Sequence, residues 1–168
     1  MTAIDRLETA EPQASTSERA PNVYLFPGQI FTSGESILVS TILGSCVAVC
    51  LWDPETGVGG INHFLLPLNP LRGGADARYG NTAMPRLLEG MLERGASARR
   101  LMAKVVGGAS VITGLSVSRR SIGEQNVIVA REFLRTLDIP VAGDQTGGRR
   151  GRKLLFDTGS GNAYVKEI

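Results

Sequence analysis

Seven consecutive residues, Cys46 to Trp52, carry apolar groups on both faces of an extended chain. Cys46, Ala48, Cys50 and Trp52 fall on one face; Val47, Val49 and Leu51 fall on the other. A strand of this kind must be covered on both sides, which excludes a single sheet with one wet face. Asp53-Pro54-Glu55-Thr56-Gly57 reads as a turn, so Val58 to Leu65 is expected to return as the second strand of a hairpin. That return carries His63 back toward the Cys46 end.

The rest of the chain supplies the cover. Val23 to Phe26, Gln29 to Thr32 and Ile37 to Ile42 read as short strands punctuated by Pro27-Gly28 and Ser33-Gly34. Met84, Leu87, Leu88, Met91 and Leu92 recur at helical spacing, which predicts a helix over Asn81 to Arg94, capped by Asn81 or Thr82 and ended by Gly95. Arg100 to Val106 reads as a strand ended by Gly107-Gly108. Ser121-x-x-Glu124 is a capping box ahead of a second helix that carries Val127, Ala130, Phe133, Leu134 and Leu137. Ile139 to Ala142 is a strand, and Lys153 to Thr158 with Asn162 to Lys166 forms a closing hairpin around Gly159-Ser160-Gly161. The expected fold is α/β: a layered sandwich of mixed sheets with two main helices, in one domain spanning residues 22–168. Residues 1–21 are polar and without a sustained apolar period, and read as a flexible tail. The Gly-rich stretch Asn69 to Tyr79 reads as a surface loop.

Length and composition narrow the function. A chain of 168 residues with 42% hydrophobic and 20% charged residues is ordinary for one globular domain. A net charge of +2 gives no case for nucleic acid, and the basic cluster Arg149 to Lys153 is short and lacks interleaved aromatics. No apolar run approaches the length of a membrane span, and Asp5, Glu8 and Glu11 interrupt any signal-peptide core. Direct membrane insertion is therefore not expected, and a cytoplasmic location is the default. Cys46, Cys50 and His63 offer three metal ligands at most, with two of them inside a strand, so neither a metal nor another cofactor is expected.

The candidate chemistry is nucleophilic attack by sulfur on a carbonyl carbon. A neutral thiol is a poor nucleophile; an imidazole in hydrogen-bond reach can take its proton and return it to a leaving amine or ammonia. Cys46 and His63, the only histidine, supply that pair. A third polar group usually orients the ring, and the Ser40 or Thr41 hydroxyl is available for this. Backbone N–H groups from Gly44 to Cys46, involving Gly44 and Ser45, can receive an oxyanion, with Asn62 as a further substrate contact. Cys50 reads as a packing residue.

Six blocks, in order, resemble the chemoreceptor glutamine deamidase family, CheD. They are Leu43-Gly44-Ser45-Cys46-Val47-Ala48-Val49-Cys50-Leu51-Trp52-Asp53-Pro54; Gly59-Gly60-Ile61-Asn62-His63-Phe64-Leu65-Leu66-Pro67; Tyr79-Gly80; Lys104-Val105-Val106-Gly107-Gly108-Ala109; Ile122-Gly123-Glu124-Gln125-Asn126; and Gly147-Gly148 with Gly151-Arg152-Lys153. The resemblance covers about residues 22–168. It implies an α/β sandwich, a catalytic cysteine at Cys46, a histidine at His63 and a threonine at the place shared here by Ser40 and Thr41. It implies a cofactor-free deamidation of glutamines on the cytoplasmic helices of chemotaxis receptors. It also implies a regulatory partner, a chemotaxis phosphatase of the CheC type. The competing expectations are a non-catalytic receptor- or phosphatase-binding adaptor that uses Arg149-Arg150-Gly151-Arg152-Lys153, and, among enzymes, a cysteine protease or transglutaminase, since all pass through an acyl-enzyme.

Overall fold

Cover for the two-faced run comes from a second sheet on one side and two helices on the other. The computed structural model describes residues 7–8, 22–71, 73–110 and 120–168. Its strands are β1 (Leu7–Glu8), β2 (Asn22–Tyr24), β3 (Ile30–Ser33), β4 (Leu38–Leu43), β5 (Val47–Asp53), β6 (Val58–Asn62), β7 (Met102–Gly107), β8 (Val141–Thr146), β9 (Arg152–Asp157) and β10 (Ala163–Glu167). The helices are α1 (Gly80–Glu93) and α2 (Ile122–Thr136). One sheet has the order β1-β10-β9-β4-β2 and the other β3-β6-β5-β7-β8. Both are mixed: β1–β10 and β2–β4 are parallel in the first, β7–β8 in the second, and the other pairings are antiparallel. Of the expected tail, residues 1–6 and 9–21 lie outside the described residues.

The alternation of β5 sorts its side chains into two cores. Val47, Val49 and Leu51 meet Met84, Leu87 and Met91 of α1 and Val127, Ala130 and Leu134 of α2. Ala48 and Cys50 meet Val39 and Leu43 of β4, Leu154 and Phe156 of β9 and Val165 of β10, with Cys46 and Trp52 packed at the margin. The molecule is therefore layered helix, sheet, sheet. Gly60 lets α1 approach β6 closely: a Cβ there would lie 2.8 Å from the Met91 sulfur.

The hairpin of β5 and β6 forms as its turn residues require, with Asp53 opposite Val58 and Gly57 at φ +70°. Asp53 is fully buried and fixes the hairpin's distal end. Its carboxylate accepts from Arg100 at 2.8 Å, from the Ser97 N–H at 2.9 Å and from the Glu55 N–H at 3.0 Å. Burial alone would raise its pKa, but these donors outweigh it and hold the carboxyl well below the usual range.

Several local expectations shift: the strands expected at Gln29 to Thr32, Arg100 to Val106 and Ile139 to Ala142 form over Ile30–Ser33, Met102–Gly107 and Val141–Thr146. The thiol-bearing strand starts at Val47, which leaves Cys46 just ahead of it, and the returning strand ends at Asn62. The first helix starts at Gly80 behind Tyr79 with no side-chain cap, because the Asn81 carboxamide oxygen instead accepts from the Asn69 N–H at 2.8 Å. The second helix has the expected capping box: Ser121 Oγ accepts from the Glu124 N–H at 3.2 Å, and a Glu124 carboxylate oxygen accepts from the Ser121 N–H at 3.0 Å.

Candidate active site

The residues Gly44, Ser45 and Cys46 carry the chain from β4 in one sheet to β5 in the other. All three are partly exposed, so the thiol sits at the rim where the two sheets diverge. Their carbonyls are all held. Gly44 O accepts from the Ala109 N–H at 2.8 Å, Ser45 O from Asn126 Nδ2 at 2.9 Å and Cys46 O from the Gly108 N–H at 2.8 Å. By contrast, no other described residue accepts the N–H of Ser45 or Cys46, and the Cys46 N–H faces its own sulfur.

His63 follows β6 at the same rim. The register pairs Cys50 with Ile61 and Val47 with Phe64, so His63 lies across from Ala48. Ala48 shares its face with Cys46. Cys46, one step ahead of β5, and His63 thus fall toward one face in a diagonal relation across the pairing. The His63 backbone is clamped separately by β3's approach: its N–H donates to Gln29 O at 3.1 Å and its carbonyl accepts from the Gly28 N–H at 2.7 Å.

The imidazole is buried against the opposite sheet. Nδ1 of His63 lies 2.8 Å from the Thr41 hydroxyl, and that hydroxyl lies 2.7 Å from the Leu25 carbonyl. A hydroxyl has one proton, and a carbonyl can only accept. Thr41 therefore donates to Leu25 and accepts from Nδ1–H. This fixes the tautomer and leaves a lone pair on Nε2, which has no partner among the described residues. Burial pushes the His63 pKa down to about 4, only partly offset by the Leu25 carbonyl. Burial also raises the Cys46 thiol, against a smaller lowering by its own N–H. At neutral pH both groups are uncharged.

The structure joins Thr41 to His63 directly and sets Gly44, Ser45 and Cys46 at the same rim, without a hydrogen bond between the Cys46 thiol and Nε2; two expected residues lie outside. Ser40 alternates with Thr41 on β4 and points away from the interior that Val39, Thr41 and Leu43 line. Asn62 turns to the helix side of its sheet. Its Oδ1 accepts from the Val49 N–H at 2.9 Å and its Nδ2 approaches the Met84 sulfur at 3.3 Å. Fully buried and occupied, Asn62 splices the β5–β6 ladder where the regular pairing breaks, and does not reach the rim. Cys50 is fully buried, and burial raises its thiol far above the ordinary range despite Lys104 nearby. One contributor was missed from the sequence: Asn126, whose only signal was its place in the Ile122 to Asn126 block.

A helix–sheet–sheet sandwich with a neutral thiol and an oriented imidazole at the junction of its sheets defines the class. The chain belongs to the CheD family: residues 65–167 match the family model described as CheD chemotactic sensory transduction. A protein named probable chemoreceptor glutamine deamidase CheD 1, from Anaeromyxobacter dehalogenans (strain 2CP-C), is 45% identical over 166 residues, covering 99% of this chain and 96% of its own length. A probable chemoreceptor glutamine deamidase CheD from Rhizobium leguminosarum bv. trifolii (strain WSM2304) is 47% identical over 152 residues, covering 88% of this chain and 80% of its own. A solved Neisseria meningitidis protein of the DUF152 family is 11% identical with a TM-score of 0.43, covering 77% of this chain and 63% of its own, a likeness too low to bear on activity. Among the described residues, no helix is long and apolar enough to cross a membrane.

Proposed function

We propose that this chain is a protein-glutamine deamidase that acts on glutamine side chains of methyl-accepting chemotaxis receptors through Cys46 and His63. Nε2 of His63 takes the Cys46 proton as sulfur attacks the carboxamide carbon. The oxyanion settles on the N–H groups of Ser45 and Cys46 in the Gly44–Cys46 loop. The imidazolium then gives its proton to the departing nitrogen, and ammonia leaves a thioester on Cys46. Water, deprotonated by the same Nε2, attacks the thioester; glutamate departs and the thiol is restored. Thr41 holds the ring through Nδ1 throughout. No step needs a metal or organic cofactor.

The observation that carries this reading is the unpartnered Nε2 on the face shared with Cys46, its tautomer set by Thr41. The names of the relatives supply the substrate class. Receptor glutamines of this kind lie on cytoplasmic helices, so the reading places the protein in the cytoplasm, where a CheC-type phosphatase is its expected regulator.

The test is incubation with a receptor cytoplasmic fragment, with ammonia release and site-resolved mass spectrometry. Deamidation replaces an amide nitrogen by oxygen at particular glutamines; chain cleavage would indicate a protease, and crosslinked product a transglutaminase. Cys46→Ala should abolish the reaction, and Cys50→Ala should retain much of it. Undiminished turnover by Cys46→Ala would refute the nucleophile. A Cys46→Ala protein that binds receptor as tightly as wild type, in a wild type without turnover, would favour the adaptor instead.

A further inference from the structure

We propose that Asn126 is a positioning residue for the reaction, setting the Cys46–His63 geometry by tying the backbone beside each to a single carboxamide. The inference rests on the reading of Cys46 and His63 as the reacting pair. Nδ2 of Asn126 donates to Ser45 O at 2.9 Å and to Leu65 O at 2.8 Å. Ser45 immediately precedes Cys46, and Leu65 lies two residues after His63. Both carbonyls belong to segments that have left the regular ladders. Gly44 to Cys46 crosses between sheets, and Leu65 turns away to donate to Arg78 O at 2.8 Å. The Asn126 amide takes the place of the missing ladder partner for both at once.

The orientation of the amide follows from those contacts. Both of its N–H groups face carbonyl oxygens, so a flipped amide would set oxygen against oxygen. The cost is an Oδ1 that is buried with no partner among the described residues, on a side chain with no solvent exposure. An apolar side chain of similar size would avoid that oxygen's cost but leave the Ser45 and Leu65 carbonyls without their donor. What distinguishes this side chain is that one amide serves both the thiol segment and the imidazole segment, so their relative placement depends on it.

The rest of α2 is built to hold this tie in place. Its capping box fixes the first turn, and Gly123 rests on Gly108 and Ala109, where a Cβ would lie 2.5 Å and 2.7 Å from their carbonyl oxygens. Those two residues hold Cys46 O and Gly44 O through their own N–H groups. Of the three ties on the thiol loop, only Asn126 is made by a side chain, and only Asn126 also reaches the His63 segment.

The experiment compares full-length wild type, Asn126→Asp, Asn126→Ala and Cys46→Ala on a receptor cytoplasmic fragment, reading kcat per folded molecule, KM and melting temperature. Asn126→Asp keeps the size and removes both donors. Misplacing a reacting group by about an ångström costs on the order of 10²-fold. The expected result is a kcat lower by about that factor in both variants, with KM within about threefold of wild type, because the lost tie acts on the reacting pair rather than on binding. Should neither variant fold, Asn126→Ser, which keeps one donor, should show an intermediate kcat. Folded variants with wild-type kcat and only a lower melting temperature would make Asn126 structural and overturn the proposal alone. A wild type without turnover, or an active Cys46→Ala, would overturn the underlying reading and this inference with it.

Discussion

Thr41 and His63 are joined across the interior of the sandwich, hydroxyl to Nδ1 at 2.8 Å, although Thr41 lies on β4 of one sheet and His63 follows β6 of the other. The Leu25 carbonyl takes the hydroxyl's only proton at 2.7 Å and so makes Thr41 an acceptor toward the ring. One hydrogen-bond chain thereby decides which imidazole nitrogen keeps its lone pair.

Replacing Thr41 by valine keeps the shape and removes the hydroxyl. The Leu25 carbonyl and Nδ1–H then lose a shared partner, which costs about 1–3 kcal/mol of stability. The ring also loses its tautomer restraint, so deamidation should fall at least about tenfold in a folded protein, a fraction of the ~10²–10⁴-fold that acid–base catalysis supplies. Ser40→Ala, on the outward face of the same strand, should stay near wild type. Turnover assays with both variants check this, and equal turnover in the two would remove the orienting role.

Two pH responses follow from the buried imidazole. His63 titrates at about 4 in the folded chain, below its ordinary 6.5. The unfolded chain therefore takes up a proton first as pH falls. The stability tied to neutral His63 is fully present above about pH 6.5 and is lost as pH falls through about 4, amounting to at most about 3 kcal/mol. Urea unfolding at neutral and acid pH should show this loss in wild type and a smaller one in His63→Gln. On the reactive side, kcat/KM should hold through pH 6 and fall toward 4. Alkylation of Cys46 by a neutral reagent should keep rising beyond pH 9, since burial raises the thiol. An alkylation plateau at acid pH would indicate a preformed thiolate–imidazolium pair instead.

Gly107 supports the thiol loop from beneath. Its φ is +112°, and a Cβ there would strike the Cys46 carbonyl oxygen. Gly107→Ala should therefore cost stability and reduce turnover strongly by displacing Cys46. Gly147 has a φ of +77° but open space around it, so Gly147→Ala should cost only backbone strain, on the order of 1 kcal/mol, with little change in turnover. Melting temperatures and rates on the pair separate crowding at Cys46 from strain alone.

Much of this arrangement was legible where neighbours in sequence are neighbours in space. The two-faced β5 run, the β5–β6 hairpin, the Ser121–Glu124 capping box and the β9–β10 hairpin follow from local pattern. The alternation of Ser40 and Thr41 was legible too, but not which faced inward, because that depends on which side of β4 the second sheet covers. Pairings between distant segments were hidden: β2 beside β4, β7 beside β8, and β3 on the far edge of β6. Asn62 lies opposite Val49 by simple alternation, on the helix side and away from the face of His63, and that alternation was legible in the sequence although Asn62 was grouped with the site. Asn126 was invisible as a site residue because its contacts lie 81 and 61 residues away.

The most direct measurement is the deamidation rate of folded His63→Gln on a receptor cytoplasmic fragment, with its melting temperature taken on the same sample. Glutamine keeps polarity and approximate size at a fully buried position but cannot shuttle a proton. Acid–base catalysis of this kind contributes ~10²–10⁴-fold, so turnover should fall by at least about 10²-fold while the protein remains folded. Near-wild-type turnover in a folded His63→Gln protein would contradict the Cys46–His63 mechanism.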